Sequence, residues 1–390
     1  MSALPAFAAR ASDITVVLLG VGGVGGALLR LLPTAAASGV NLVGAANSKH
    51  QIANPRGFVA GQAAAFLRAS VAPRDDSVLL AALDASGAGC RVIVDATASN
   101  LTAARHPAWL AAGYHVISAN KAATGETLAT WSSLRQACVR GAVEYGDAAT
   151  VGAGLPVLST LRRLRECGDR LLALEGVFSG SLSWLFNHFD GSRPFSALLR
   201  EAHALGYTEP DPRADLGGAD VARKLLILAR SAGHALDATG VAIESLVPCH
   251  LRDVDPAAFL KRAEELDSAL EARRAQAARA GRVVRFLAQL DEQGHARVGL
   301  AEVAPTHPAA RLAGTDNLFA LTTERYRAQP LVIQGPGAGS EVTAQALLGD
   351  LLSLRGPVPP DSCGRSGGSR DAFSGRRDWT RASRLESRHP

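Results

Sequence analysis

Residues 14–25 read ITVVLLGVGGVG, and this stretch decides the fold. Six apolar or β-branched residues, Ile14 to Leu19, run straight into glycines. A short buried parallel strand that stops at a tight turn reads this way. Gly20, Gly22 and Gly25 form G-x-G-x-x-G, with Gly23 and Val24 between them. Gly20 allows the turn, Gly22 lets the backbone approach a pyrophosphate, and Gly25 lets the following helix pack on the strand. The helix N-terminus then faces the phosphates. A small-residue helix is expected to about Leu32. Further strands are expected at Asn41–Asn47, Arg91–Ala96 and His115–Ala119, with a weaker one at Ala142–Tyr145. Strands alternating with helical patterns predict an α/β fold, a Rossmann-type doubly wound parallel sheet over residues 1–140.

The pattern changes after Thr150. Leu171–Phe178 reads as a strand, Leu182–Phe189 as the start of a helix, Asp220–Ala232 as a helix with an apolar stripe, and Ala257–Ala280 as one long charged helix. Val283–Leu290 and Ala296–Val303 flank the turn Asp291–Gly294, which predicts a hairpin. Residues 141–330 are therefore expected to form a second, α+β domain. Leu331–Gln334 followed by the helical Glu341–Leu354 reads as one more βα unit, so 331–355 is expected to rejoin the first domain. Residues 356–390 are rich in Gly, Ser, Pro and Arg, and are expected to be a disordered or non-native tail.

Composition narrows the function classes. The chain has 390 residues, enough for two cores. Its net charge is +5, but residues 356–390 alone hold seven arginines against four acids. The basic balance belongs mostly to that tail and predicts no nucleic-acid partner. No apolar run reaches the ~18–20 residues that span a membrane. The N-terminus has no basic region ahead of an apolar stretch, so no signal peptide is expected. Five cysteines without CxxC spacing fit a reducing compartment. A cytoplasmic protein follows as the expectation.

Of 41 basic side chains only four are lysines: Lys49, Lys121, Lys224 and Lys261. Arginine does not give up its proton in proteins and lysine can, so these four are the places to look for proton chemistry. Lys261 reads as a solvated charge. Lys121 closes the strand segment Ser118-Ala119-Asn120-Lys121, where a doubly wound sheet places its ligand crevice. Lys224 ends the run GYTEPDPRADLGGADVARK at 206–224, four residues after Asp220 on the same helix face. An ordinary helix ion pair and an oriented proton donor both fit that spacing. Asn47-Ser48-Lys49 ends the second strand with no carboxylate to repel a ribose 2′-phosphate, and Ser48 and Lys49 offer it donors. NADP is therefore expected, with use of NAD as well left open. Thr97, Ala98 and Ser99 close another strand at the crevice and are expected near the nicotinamide half.

Several of these segments together resemble the homoserine dehydrogenases. They are GVGGVG at 20–25, SANK at 118–121, TVGAGLP at 150–156, SGSLS at 179–183, the 206–224 run, and VIQGPGAGSEVTA at 332–344. The glycine motif alone does not carry the resemblance; the 206–224 run and TVGAGLP together do. It implies NAD(P)H-dependent reduction of L-aspartate 4-semialdehyde to L-homoserine, and a homodimer, with residues 141–330 as the catalytic and dimerisation domain and the 283–303 hairpin among its dimer elements. It implies Lys224 as general acid, Lys121 as a second lysine over the carbonyl, and Asp220 as the group that orients Lys224 or an active-site water. Glu209, with Asp215, Ser181 and Tyr207, is implied in substrate binding, and Gly339 in closing on the cofactor. A sodium-type cation is implied at the carbonyls of Val151, Ala153 and Leu155 plus an acid. The position three before the valine is Ala148, so the nearest acid is Asp147, one residue out of step. A form without kinase or ACT-like domain is expected, and with it no threonine feedback. The competing readings are an NADP-dependent reductase of another small amino or oxo acid, and a non-catalytic NADP-sensing protein.

Overall fold

The structure, a computed structural model, describes residues 14–34 and 37–355. The expected tail at 356–390 lies outside the described residues. The first sheet has six strands: β1 (Ile14–Leu19), β2 (Val40–Ala46), β3 (Gln51–Phe58), β4 (Cys90–Asp95), β5 (His115–Ser118) and β6 (Tyr145–Gly146). Their order is β3-β2-β1-β4-β5-β6. All neighbours run parallel except β2 and β3. Every residue of β1 is buried, as a central parallel strand requires. The doubly wound reading therefore holds, with two additions. β3 joins the edge antiparallel, and β6 carries the first sheet to Gly146, beyond the expected boundary at 140.

The second sheet is formed by β7 (Leu171–Val177), β8 (Val241–Ile243), β9 (Val283–Asp291), β10 (Ala296–Val303), β11 (Asp316–Thr323) and β12 (Leu331–Pro336). Its order is β12-β11-β7-β9-β10-β8, antiparallel except where β10 meets β8. The β9–β10 hairpin forms as expected. One face is covered by the helices Gly180–His188 and Ala219–Ala232, which share a core with Phe178, Phe286 and Phe319.

Two expectations are corrected. The strand at 331 does not return to the first sheet: β12 pairs with β11 at the edge of the second. Only the helix after it, Ser340–Ser353, rejoins the first unit. Its Ala344, Leu347 and Leu351 pack among Ala27 and Leu28 of the helix Gly23–Leu31. Truncating Leu28 or Leu347, both fully buried, costs about 2–5 kcal/mol. The charged stretch 257–280 is also not one helix. It breaks into Pro256–Lys261, a 3-10 turn at Ala263–Leu266, and Asp267–Arg279. No helix among the described residues is long and apolar enough to cross a membrane.

Candidate active site

The C-terminal ends of β1, β2, β4 and β5 lie along one edge of the first sheet, because those strands are parallel. Ligands of such sheets bind there. Gly20 has φ +92, and a Cβ on it would lie 2.8 Å from the Ala96 backbone. A Cβ on Gly25 would lie 1.9 Å from the Gly20 carbonyl oxygen. Gly22, by contrast, faces open space. Two glycines thus shape the turn, and the third leaves room for a phosphate. Gly25→Ala is expected to weaken NADPH binding about tenfold or more, since relieving such an overlap moves the turn. A fluorescence titration of NADPH reads this; unchanged affinity would remove Gly25 from the cofactor seat.

Gly339 precedes the last helix at φ +130, and Ser340 Oγ would lie 2.7 Å from a Cβ on Gly23. The starts of the first and last helices therefore meet beside the glycine turn. Arg30 and Glu341 also join the two helices by an ion pair. Asn47 caps the turn after β2: its Oδ1 accepts the N–H groups of Lys49 and His50, each at 2.8 Å. Ser48 and Lys49 stand exposed on that turn. Thr97 Oγ1 accepts the Ser99 N–H at 3.2 Å, and Ser99 caps the next short helix through the Thr102 N–H. These two hydroxyls first of all fix the loop's own shape, with Ala98 between them.

The lysines converge. Asp220 Oδ2 lies 2.9 Å from Lys224 Nζ, and its Oδ1 lies 3.1 Å from Lys121 Nζ. Lys224 also donates to the Phe178 carbonyl at 2.7 Å. An ammonium has three N–H groups, so one on Lys224 remains for a ligand. The Lys224 side chain is 12% exposed. Burial pushes its pKa down, Asp220 opposes that, and the Lys121 charge adds to it. For Asp220, burial works upward, but the two lysines together hold the carboxyl at about 2. Asp220 is thus ionised throughout the neutral range, and one carboxylate serves two ammoniums.

Asp220 forms one wall of a cavity of about 470 Å³ that Ser179, Glu209, Asp215 and Val221 also line. The acids of the 206–224 run divide their tasks. Asp211 is bound to Arg213 at 2.7 Å, and that arginine also ties down the carbonyls of Leu251 and Arg252. Asp215 accepts the Ser181 hydroxyl at 2.6 Å and the Glu209 N–H at 2.8 Å. Glu209 is exposed, and its carboxylate makes no hydrogen bond among the described residues. Asp215 and Ser181 thus seat Glu209 and leave its carboxylate free. Tyr207 stands apart from this lining, 43% exposed, with its ring tilted against Trp184.

The residues for a cation fit in part only. Val151 and Ala153 are buried, and their carbonyls accept no hydrogen bond among the described residues. The Leu155 carbonyl, however, accepts the Val157 N–H at 2.8 Å. Asp147 is taken by an ion pair with Arg162. Asp350, the other acid nearby, accepts the Ala148 N–H at 2.9 Å, and burial lifts its carboxyl to about 6. Neutral carbonyls can hold a monovalent cation, but here a guanidinium already neutralises the expected acid and the Leu155 carbonyl is engaged, so the expected set is incomplete.

One network escaped the sequence reading. Asp95 and His106 are both fully buried, with His106 Nε2 3.0 Å from Asp95 and its Nδ1 3.1 Å from the Tyr145 hydroxyl. Asn120 donates to Asp95 at 3.1 Å and to the Ser99 carbonyl at 2.9 Å. This ties the loop 97–99 to the residue just before Lys121. The only signal in the sequence was the acid and the amide that close β4 and follow β5.

A dinucleotide seat beside a lysine pair and an unpaired carboxylate defines a nicotinamide-dependent oxidoreductase. The homoserine dehydrogenase family profile matches residues 156–352, and the profile for the NAD-binding domain of homoserine dehydrogenase matches 20–145. The chain belongs to the homoserine dehydrogenase family. It is 39% identical over 353 residues to a bifunctional aspartokinase/homoserine dehydrogenase of Zea mays, covering 88% of this chain and 38% of that one. It is 41% identical over 282 residues to the homoserine dehydrogenase of Emericella nidulans, covering 69% and 77%. A solved Candida auris protein of unknown function superposes with a TM-score of 0.80 at 33% identity, covering 87% of this chain and 98% of that one. The chain thus spans well under half the length of the bifunctional relative from Zea mays.

Proposed function

We propose that this chain reduces L-aspartate 4-semialdehyde to L-homoserine with NADPH. The observation that supports the reading is the charge pattern of one cavity. Glu209 offers it a free carboxylate, and Asp220, which also lines it, binds both lysines. The substrate has both features these groups fit, an α-ammonium and an aldehyde. When bound, the nicotinamide supplies hydride to the aldehyde carbon. Lys224 donates its free N–H to the carbonyl oxygen and transfers that proton as the alkoxide forms. Lys121 adds a second positive charge near the developing oxyanion. Asp220 holds both ammoniums in place, and Glu209 accepts the substrate ammonium.

Oxidation of NADPH, followed by its absorbance with aspartate 4-semialdehyde, tests the reading. Succinate semialdehyde lacks the amine and is expected to turn over far more slowly. Equal rates would favour a general aldehyde reductase, and no turnover with either would favour a non-catalytic sensor. The NADPH preference rests on exposed Lys49 and Ser48 and on the lack of an acid at that turn. Lys49→Ala is expected to raise the KM for NADPH about fivefold and leave that for NADH unchanged. A matching rise for both cofactors would defeat the 2′-phosphate role.

A further inference from the structure

A second cavity, of about 440 Å³, lies away from the reaction site. It opens where the helices Leu128–Gly141, Val157–Glu166 and Ala219–Ala232 meet the end of β6. Arg230 forms part of its lining at 1% exposure, while Arg135 and Arg165 are exposed on other parts of it. Arg162 lines it too, and Trp131 adds an apolar surface. Asp147 and Glu166 are the only acids in the lining, against four arginines, so the lining carries a net positive charge.

The arginines are not equally occupied. Arg162 is paired with Asp147. The guanidinium groups of Arg135 and Arg165 make no ion pair or hydrogen bond among the described residues. Arg230 donates to the carbonyls of Leu236, Thr124 and Glu126 at 3.1, 2.6 and 2.8 Å. That uses three of its five N–H groups and leaves one on each terminal nitrogen. No carboxylate touches it among the described residues; the charges of Asp237 and Glu126 act on it only from beyond hydrogen-bond reach. Burial lowers its pKa, although an arginine stays protonated.

The other buried arginine shows what a purely structural role looks like. Arg285 donates to the carbonyls of Phe186, Val284, Ala309 and Ala310 and lines none of the cavities described. Arg230 differs in keeping donors to spare at the wall of an open space.

We propose that this cavity is a binding site for a small dianion with oxygen acceptors, a phosphate or a dicarboxylate. Arg230 would meet it from the buried side, Arg135 and Arg165 from the exposed side, and Trp131 would cover an apolar flank. The site stands on the same helix as Asp220 and Lys224. Arg230 follows Lys224 by six residues, about 9 Å along the axis, and its side chain is anchored to a different set of carbonyls. The proposal does not depend on which aldehyde the enzyme reduces.

Titration calorimetry with inorganic phosphate and, separately, malonate tests it. The full chain is used with NADPH at saturation, so that the pyrophosphate seat is filled, and chloride holds the ionic strength constant. One dianion per chain is expected to bind. The double variant Arg135→Ser/Arg165→Ser is expected to bind at least about tenfold more weakly, since charged hydrogen bonds are lost. Both positions are exposed, so the fold is retained, and the rate of aldehyde reduction without added dianion is expected to stay as in the wild type. Absence of binding by both anions in the wild type overturns the proposal. So does equal affinity in the double variant, which would place any bound anion elsewhere.

Discussion

Lys224→Ala is expected to slow aldehyde reduction by about 10²–10⁴-fold, the usual effect of removing a general acid. Binding of NADPH is expected to persist, because Lys224 lies on a helix of the second unit and the glycine turn does not involve it. The effect comes from position as well as charge. Asp220 and the Phe178 carbonyl hold two of the ammonium's N–H groups and aim the third. Lys224→Arg keeps the charge yet cannot yield a proton, so it is expected to restore little. Steady-state rates together with a separate NADPH titration read both parts. A Lys224→Ala enzyme as fast as wild type would falsify the assignment of the proton donor.

Asp220→Ala is expected to produce the second large effect, a drop on the order of 10²-fold near neutral pH, together with a displaced pH profile. The direction follows from the charges around Lys224. Burial and Lys121 both act to lower its pKa, and Asp220 acts against them. Without the carboxylate, the two ammoniums face each other unshielded, and Lys224 loses its proton more readily. The basic limb of kcat should therefore move to lower pH. In the wild-type protein the same carboxylate sits at about 2, below its unfolded value, so its ionised form supports the fold above the ordinary carboxylate range. That support should fade as pH falls toward 2. A kcat profile whose basic limb stays in place, or moves upward, would show that Asp220 does not govern the protonation of Lys224.

The features legible in the sequence were those written in consecutive residues. The strand Ile14–Leu19 and its glycines, the lysine after β5, and the Asp220–Lys224 spacing all fall within one turn or one strand, where local periodicity is decisive. β3 was hidden by Pro55 and by Gly57 at φ +92, residues that an edge strand tolerates and a central one does not. The run Leu331–Gln334 reads as a strand of the first sheet but lies in the second, because its partner, β11, is chosen by antiparallel register across the second core. A short apolar run carries no such information. Asp215 could be seen as an acid near Glu209, but its use as the seat of Glu209 depends on Ser181, 34 residues away. His106 gave no signal, since its two partners stand 11 and 39 residues off in the chain.

Among the described residues the last helix, Ser340–Ser353, completes the unit that contains β1. Its Leu347 and Leu351 fill the core beneath the glycine turn, and its first residue meets Gly23. The cofactor seat is therefore assembled from the two ends of the described chain. During synthesis, made N-terminus first, the opening strands and the glycine turn leave the ribosome hundreds of residues before the helix that covers them. The nascent Rossmann unit must wait, with one apolar flank bare, until the whole second sheet has been made. Closing so long a loop is slow. Maturation of the dinucleotide site is thereby tied to synthesis of the last described helix, and a chain stopped short of residue 340 would carry the glycine signature without its seat.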